Sequence, residues 1–176
     1  MPILAWKRVT FLPKMGYRRC MTTLDRIDRE ILARLQRDGD LSISELADQL
    51  GMSGPPCWRR VKRLKDEGVL THRSWHVDPA SVGLNVVVFA TVRLATHDAA
   101  ATTSFREKVL DIPEVMECYI LLGTSDVLVK IVAPDIKAYE AFYYDVLSQL
   151  PGVRETTSSV VMSAVKQTSA LPIARI

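Results

Sequence analysis

The chain of 176 residues is poor in the features that many functional classes require. It has three cysteines, at positions 20, 57 and 118, and no CxxC pair. That excludes a disulfide framework and leads us to expect a reducing, cytoplasmic setting. Its three histidines, His72, His76 and His97, fall at spacings that match no metal site. No Gly-rich phosphate loop and no Ser-His-Asp grouping occurs. No uncharged apolar run reaches the ~18 residues of a membrane span. Charge of one sign is also scarce, with a net of +3. Residues 1–20 hold five basic residues and no acidic one, so the remainder of the chain is −2. The basic total is therefore poor evidence for nucleic-acid binding, and any such case rests on local clustering.

What is present points to an ordinary globular chain, with 48% hydrophobic and 24% charged residues. The length suits one sizeable domain or two small ones. Residues 1–21 read as an N-terminal extension. Two readings of it remain open: a basic arm on DNA phosphates, or an unordered tail or early start with Met21 as the true beginning. Its charges follow the short apolar stretch instead of preceding it, so it does not read as a signal peptide.

Residues 22–75 read as three helices and a wing. Thr22 and Asp25 form a variant capping box, and Leu24, Ile27, Ile31, Leu32 and Leu35 follow helical spacing. Asp25, Arg26, Asp28, Arg29 and Glu30 are expected mostly on the other faces. Gly39 is the expected stop. Ser42 with Glu45 is a second capping box, and Ile43, Leu46, Ala47 and Leu50 form the inner stripe of the second helix. Gly51 supplies a tight turn and Met52 an apolar plug. Ser53 is the expected cap of the third helix, with Pro55 and Pro56 in its first turn, and Gly68 is its expected end. Two short helices around a glycine turn form a helix-turn-helix signature.

The third helix is asymmetric. Cys57, Val61 and Leu64 face inward, whereas Arg59, Arg60, Lys62, Arg63 and Lys65 share the remaining arc with Trp58. A helix that reads the DNA major groove needs one buried and one basic face. Ser53, Gly54, Trp58 and Arg59 are the expected groove readers, and Arg60, Lys62, Arg63 and Lys65 the expected phosphate contacts. Residues 69–71 and 75–77 alternate as two short wing strands, with Arg73 between them read either as a further DNA contact, in a minor groove or on a phosphate, or as a plain hairpin residue. Residues 76–84 form a hinge.

Residues 85–176 read as β-α-β-β-α-β. The strands are expected at 85–94, 115–122, 127–132 and 153–166, and the helices at 102–110 and 136–150. That order is the ferredoxin-like split βαβ pattern, with helices on one face of an antiparallel sheet. The central strands are apolar at both alternations, which favours a sheet-to-sheet homodimer. The fold class is thus α+β, an N-terminal winged helix-turn-helix followed by a C-terminal ferredoxin-like domain. Gly123, Thr124, Ser125 and Asp126 form a turn whose amides and carboxylate suit an amino-acid ligand, although the same run is also an ordinary hairpin loop. Cys118 lies inside a strand, where an inert thiol is expected, and no enzyme is read from the chain.

At this point the chain resembles the Lrp/AsnC family of feast/famine regulators. The resemblance is carried by LDRIDREIL at 24–32, ISELADQLGMS at 43–53, PPCWRRVKRLKDEGVL at 55–70 and LPGVRETTSSVVMSAVKQTSALPI from 150. It spans about residues 22–173. It implies a transcriptional regulator of amino-acid metabolism that binds double-stranded DNA and needs no cofactor. It also implies an amino-acid effector held between subunits of a dimer, often assembled into tetramers or octamers. The family's G-x-x-D turn falls on Gly123, Thr124, Ser125 and Asp126, and the aromatic that usually follows is Val127 here. The strand face that approaches the effector is expected to include Ser158, Ser159 and Val160. The alternative is a standalone amino-acid sensor without DNA contact.

Overall fold

The computed structural model describes residues 23–96 and 99–173, with the side chains of residues 99–101 left aside. The expectations for residues 1–21, for Thr22 as a cap and for His97 lie outside the described residues. The chain divides into two compact units, the first of residues 23–74 and 168–173, the second of residues 75–167. The end of the chain, expected to lie with the second unit, therefore belongs to the first.

In the first unit, α1 spans Arg26–Arg37, α2 Ile43–Gln49 and α3 Gly54–Asp66. The α1 cap is Asp25, whose carboxylate accepts from the Asp28 amide at 2.8 Å while Asp28 accepts from the Asp25 amide at 3.2 Å. Gly39 does not end this helix in a left-handed turn; Asp38 leaves α1 in an extended conformation. Helix α2 opens with the reciprocal Ser42–Glu45 box. Gly51 and Gly68 both adopt left-handed φ, and each closes a helix by the same pair of bonds. The Met52 amide reaches the Ala47 carbonyl and the Gly51 amide that of Asp48; Val69 reaches Leu64 and Gly68 reaches Lys65. Ile31, Leu32, Leu46, Ala47, Cys57, Val61 and Leu64 form the core of this unit, and Ile173 packs against it.

The two wing strands do not form, since residues 69–77 contain no strand. The Val69 and Leu70 amides are both spent on the Leu64 carbonyl at the end of α3 and cannot enter a ladder.

In the second unit, β1 (Val86–Leu94), β2 (Val115–Ile120), β3 (Val127–Ala133) and β4 (Val153–Val160) form one antiparallel sheet in the order β2-β3-β1-β4. Helices α4 (Ala99–Val109) and α5 (Ile136–Asp145) pack on one face. Phe105 and Val109 are buried against Val88, Ala90, Val92, Val127, Val129 and Ile131, while Leu110 at the end of the helix is exposed. Helix α5 is shorter than expected; the chain breaks at Val146 and continues as a short 3-10 turn that still buries Leu147 and Leu150. Strand β4 stops at Val160, not at 166; the Val161 amide still reaches the Val87 carbonyl at 2.9 Å, one residue from where β1 begins at Val86. The uncovered face is not wholly apolar. Beside Phe89 and Tyr119 it carries the ion pairs Lys130–Glu117 at 2.9 Å and Arg93–Glu155 at 3.1 Å.

Candidate nucleic-acid interface and effector turn

Helix α3 buries Cys57, Val61 and Leu64 and leaves Ser53, Trp58, Arg59, Lys62, Arg63 and Lys65 exposed; Gly54 and Arg60 are half-buried. At about 100° per residue, Arg59 points directly away from the core, with Trp58 and Lys62 on one flank and Arg60 and Arg63 on the other. Trp58 is 51% exposed, a large aromatic surface for a globular chain to leave in water. The Lys62 ammonium lies 5.3 Å from the centre of its ring, so the two side chains form one cationic, flat-sided unit.

Ser53 occupies the N-cap position, yet its hydroxyl makes no capping bond. A cap accepts from the second or third helical amide, and these positions are Pro55 and Pro56, which have none. The Ser53 hydroxyl is thereby left to other partners. The prolines also strip the helix terminus of amides that could cradle a phosphate. Charged contacts from this helix must come from side chains.

The basic residues fall into two groups. Arg59, Lys62 and Lys65 make no ion pair among the described residues. Arg60 and Arg63, expected on phosphates, are instead committed within the unit. Arg60 donates to Asp25 at 2.6 Å and to Asp28 at 2.8 Å, and Arg63 donates to Asp28 at 2.5 Å. Asp28, expected on a solvent face, is 1% exposed. A carboxylate at that depth requires paired donors, and the two arginines supply them. The amide of Asp28 and the Arg60 guanidinium together hold the Asp25 carboxyl below its ordinary range. Arg73 is likewise occupied, by Asp40. Sequence reasoning missed both acids. The only signal was their i, i+3 spacing at the start of α1, which also fits a plain cap.

The turn between β2 and β3 is a six-residue connection, 121–126, not the four residues expected, closed by the Leu121 amide on the Asp126 carbonyl at 2.8 Å. Gly123 and Thr124 are exposed, and Ser125 and Asp126 half-buried. One Asp126 oxygen accepts from the Leu94 amide at 2.8 Å, and the Arg93 guanidinium donates to the Thr124 carbonyl at 3.1 Å. Asp126 thus pins the turn to the end of β1.

Ser158, Ser159 and Val160 do not share a face. Ser158 meets the Tyr139 hydroxyl of α5 at 2.5 Å, so Ser158 and Val160 lie on the helix side and Ser159 on the open side. Ser159 pairs with Phe89, roughly 13 Å along β1 from the Asp126 end. One chain does not bring these residues to the turn. Burial lifts the Cys118 thiol to about 11 and raises that of Cys57, so neither is a ready nucleophile. Among the described residues no group of three metal-ligating side chains occurs, and no helix is long and apolar enough to cross a membrane.

Comparison with known proteins matches two family descriptions. Residues 24–71 match a winged helix-turn-helix DNA-binding domain, and residues 87–171 match the Lrp/AsnC ligand-binding domain. The chain is 36% identical over 150 residues to the DNA-binding transcriptional activator DecR of Escherichia coli, covering 85% of this chain and 99% of that protein. It is 37% identical over 150 residues to the leucine-responsive regulatory protein of Escherichia coli, covering 85% and 92%. A transcriptional regulator of Neisseria meningitidis in complex with L-Met superposes with a TM-score of 0.83 at 34% identity, covering 87% of this chain and 99% of that one. An AsnC family regulator of Agrobacterium tumefaciens gives a TM-score of 0.82 at 38% identity with the same coverage. These relatives are regulators and not enzymes. With a basic helix-turn-helix ahead of a ligand-binding βαββαβ unit, the chain belongs to the Lrp/AsnC family of DNA-binding transcriptional regulators.

Proposed function

We propose that this regulator acts as a homodimer whose two α3 helices enter successive major grooves about 34 Å apart. Larger assemblies are built on that dimer, and the protein works in the cytoplasm. The reading is carried by one observation: Trp58, Arg59 and Lys62 form an exposed arc opposite a buried apolar stripe. In this arrangement Ser53, Gly54, Trp58 and Arg59 read base edges, and Lys62 and Lys65 hold phosphates. The mixed open face of the sheet, with Phe89 and Tyr119 beside two ion pairs, suits association with a second copy.

The effector on this reading is an amino acid. The exposed Gly123 and Thr124 amides take its carboxylate, and the Asp126 carboxylate meets its ammonium. Ser125 and the open-face Ser159 of another subunit complete the site. Relatives described as leucine-responsive, or seen with L-Met, support this ligand class. A thermal-shift screen of the common amino acids, followed by DNA binding with each hit, tests it. A stabilising amino acid that also changes DNA affinity is the expected result. A chain that binds DNA but is indifferent to every amino acid would remove this effector class.

A further inference from the structure

Two of the five basic side chains on α3 face acids of their own chain, and both acids sit in the first turn of α1 or at its cap. We infer that Asp25 and Asp28 stand in for phosphate, holding Arg60 and Arg63 off the DNA backbone and so raising the discrimination between operator and other DNA. This rests on α3 being the DNA-reading helix.

The argument begins with guanidinium chemistry. A guanidinium recognises a carboxylate and a phosphate through the same planar fork of donors. An arginine whose charge an aspartate already neutralises, as the acids do here through Nη1 of Arg60 and Nη2 of Arg63, therefore gains less from a phosphate until the aspartate yields. Asp28 is buried, so DNA cannot displace it, and it holds Arg60 at 2.8 Å and Arg63 at 2.5 Å. Asp25 is half-exposed and holds Arg60 from the solvent side at 2.6 Å. Affinity for DNA of any sequence follows the number of phosphates neutralised, whereas base reading does not. Withholding two cations thus weakens binding everywhere and leaves Trp58 and Arg59 a larger share of the total. The same pairs fix the rotation of α3 about its axis. Arg60 and Arg63 lie about 60° apart on one flank, and locking them aims Arg59 outward.

The test uses the full chain and two duplexes, one of random sequence and one selected from a random pool by the unsubstituted protein. Asp25→Asn is the decisive variant, because asparagine caps a helix as well as aspartate does and removes only the charge. The expected result is a slightly lower melting temperature, because the Asp25 charge contributes to folding, and roughly three- to tenfold tighter binding to the random duplex near 0.1 M salt. For Asp25→Asn the salt dependence should steepen by up to about 0.9 in log–log slope, since Arg60 loses its solvent-side acid but keeps the Asp28 contact. The selected duplex should gain less, so the ratio of the two affinities falls. Asp28→Asn, where it folds, should steepen the slope further. A merely structural role would lower both affinities together through the unfolded fraction. A folded Asp25→Asn protein with an unchanged or shallower slope overturns the inference, and so does an equal gain on both duplexes. Failure of the unsubstituted chain to bind either duplex would instead count against α3 as the reading helix.

Discussion

The side chain of Gln36 on α1 pairs with the backbone of Leu171 in both directions, accepting from its amide at 2.7 Å and donating to its carbonyl at 3.3 Å. Two residues on, Ile173 packs against the helical core. The last described residues are thus a fourth element of the DNA-binding unit. Ending the chain at Gln167 removes one apolar side chain and two hydrogen bonds, which together stabilise by about 2 kcal/mol. For a unit of this size the melting temperature should fall by on the order of 10 °C. Calorimetry of the truncated and full chains measures it; an unchanged transition would show that the tail adds nothing.

Asp126 has a structural and a proposed ligand-binding role, and two substitutions separate them. Asp126→Asn keeps an oxygen for the Leu94 amide and removes the charge; Asp126→Ala removes both. The asparagine protein should melt within about 0.5 kcal/mol of the original and lose the effector response. The alanine protein should be less stable by about 1–2 kcal/mol as well, since the Leu94 amide is left without that acceptor. An effector titration and a thermal melt on each variant decide. A full response in Asp126→Asn would place the ammonium contact elsewhere.

Most of the fold was legible because it is written in local patterns. The 3.6-residue spacing of Ile27, Ile31 and Leu35, the Ser42–Glu45 box and the glycines at 51 and 68 each determine their own neighbourhood. What was not legible depends on partners far away in sequence. Asp28 looks like a solvated helix residue until Arg60 and Arg63 reach it from more than thirty positions along the chain. The end of the chain gives no sign that Leu171 meets Gln36. The two strands expected at 69–71 and 75–77 do not form because the Val69 and Leu70 amides are taken by Leu64, a competition that strand propensity alone cannot register. The Ser158–Val160 error was avoidable, since strand alternation already sends neighbouring side chains to opposite faces.

Cys118 offers a test of the second unit's packing. Burial lifts its thiol from the model-compound value of 9.0 to about 11, so its thiolate fraction at neutral pH is about a hundredfold below that of an ordinary cysteine. In a Cys20→Ser protein, Cys118 should be alkylated at least that much more slowly than a free thiol. Its rate should keep rising about tenfold per pH unit toward its own pKa. Mass spectrometry of the labelled peptide follows the reaction. Labelling as fast as a free thiol would mean that β2 opens readily from β3.

The acid sensitivity of the DNA-binding unit follows from Asp25. Its carboxyl is held below the ordinary value of 3.8, first by the Asp28 amide and then by Arg60. A carboxyl depressed in the folded state contributes stability that is fully present above the unfolded value and is lost as pH falls through the folded one. The α1–α3 attachment should therefore be insensitive to pH from neutrality down to about 4 and weaken below it. Asp25→Asn has no proton to take up, so its melting temperature should fall less steeply over the same acid range. Melting curves of both proteins between about pH 6 and about pH 3 measure the difference. Parallel curves would show that Asp25 binds protons equally in the folded and unfolded chains. The Arg60 contact would then contribute nothing to folding.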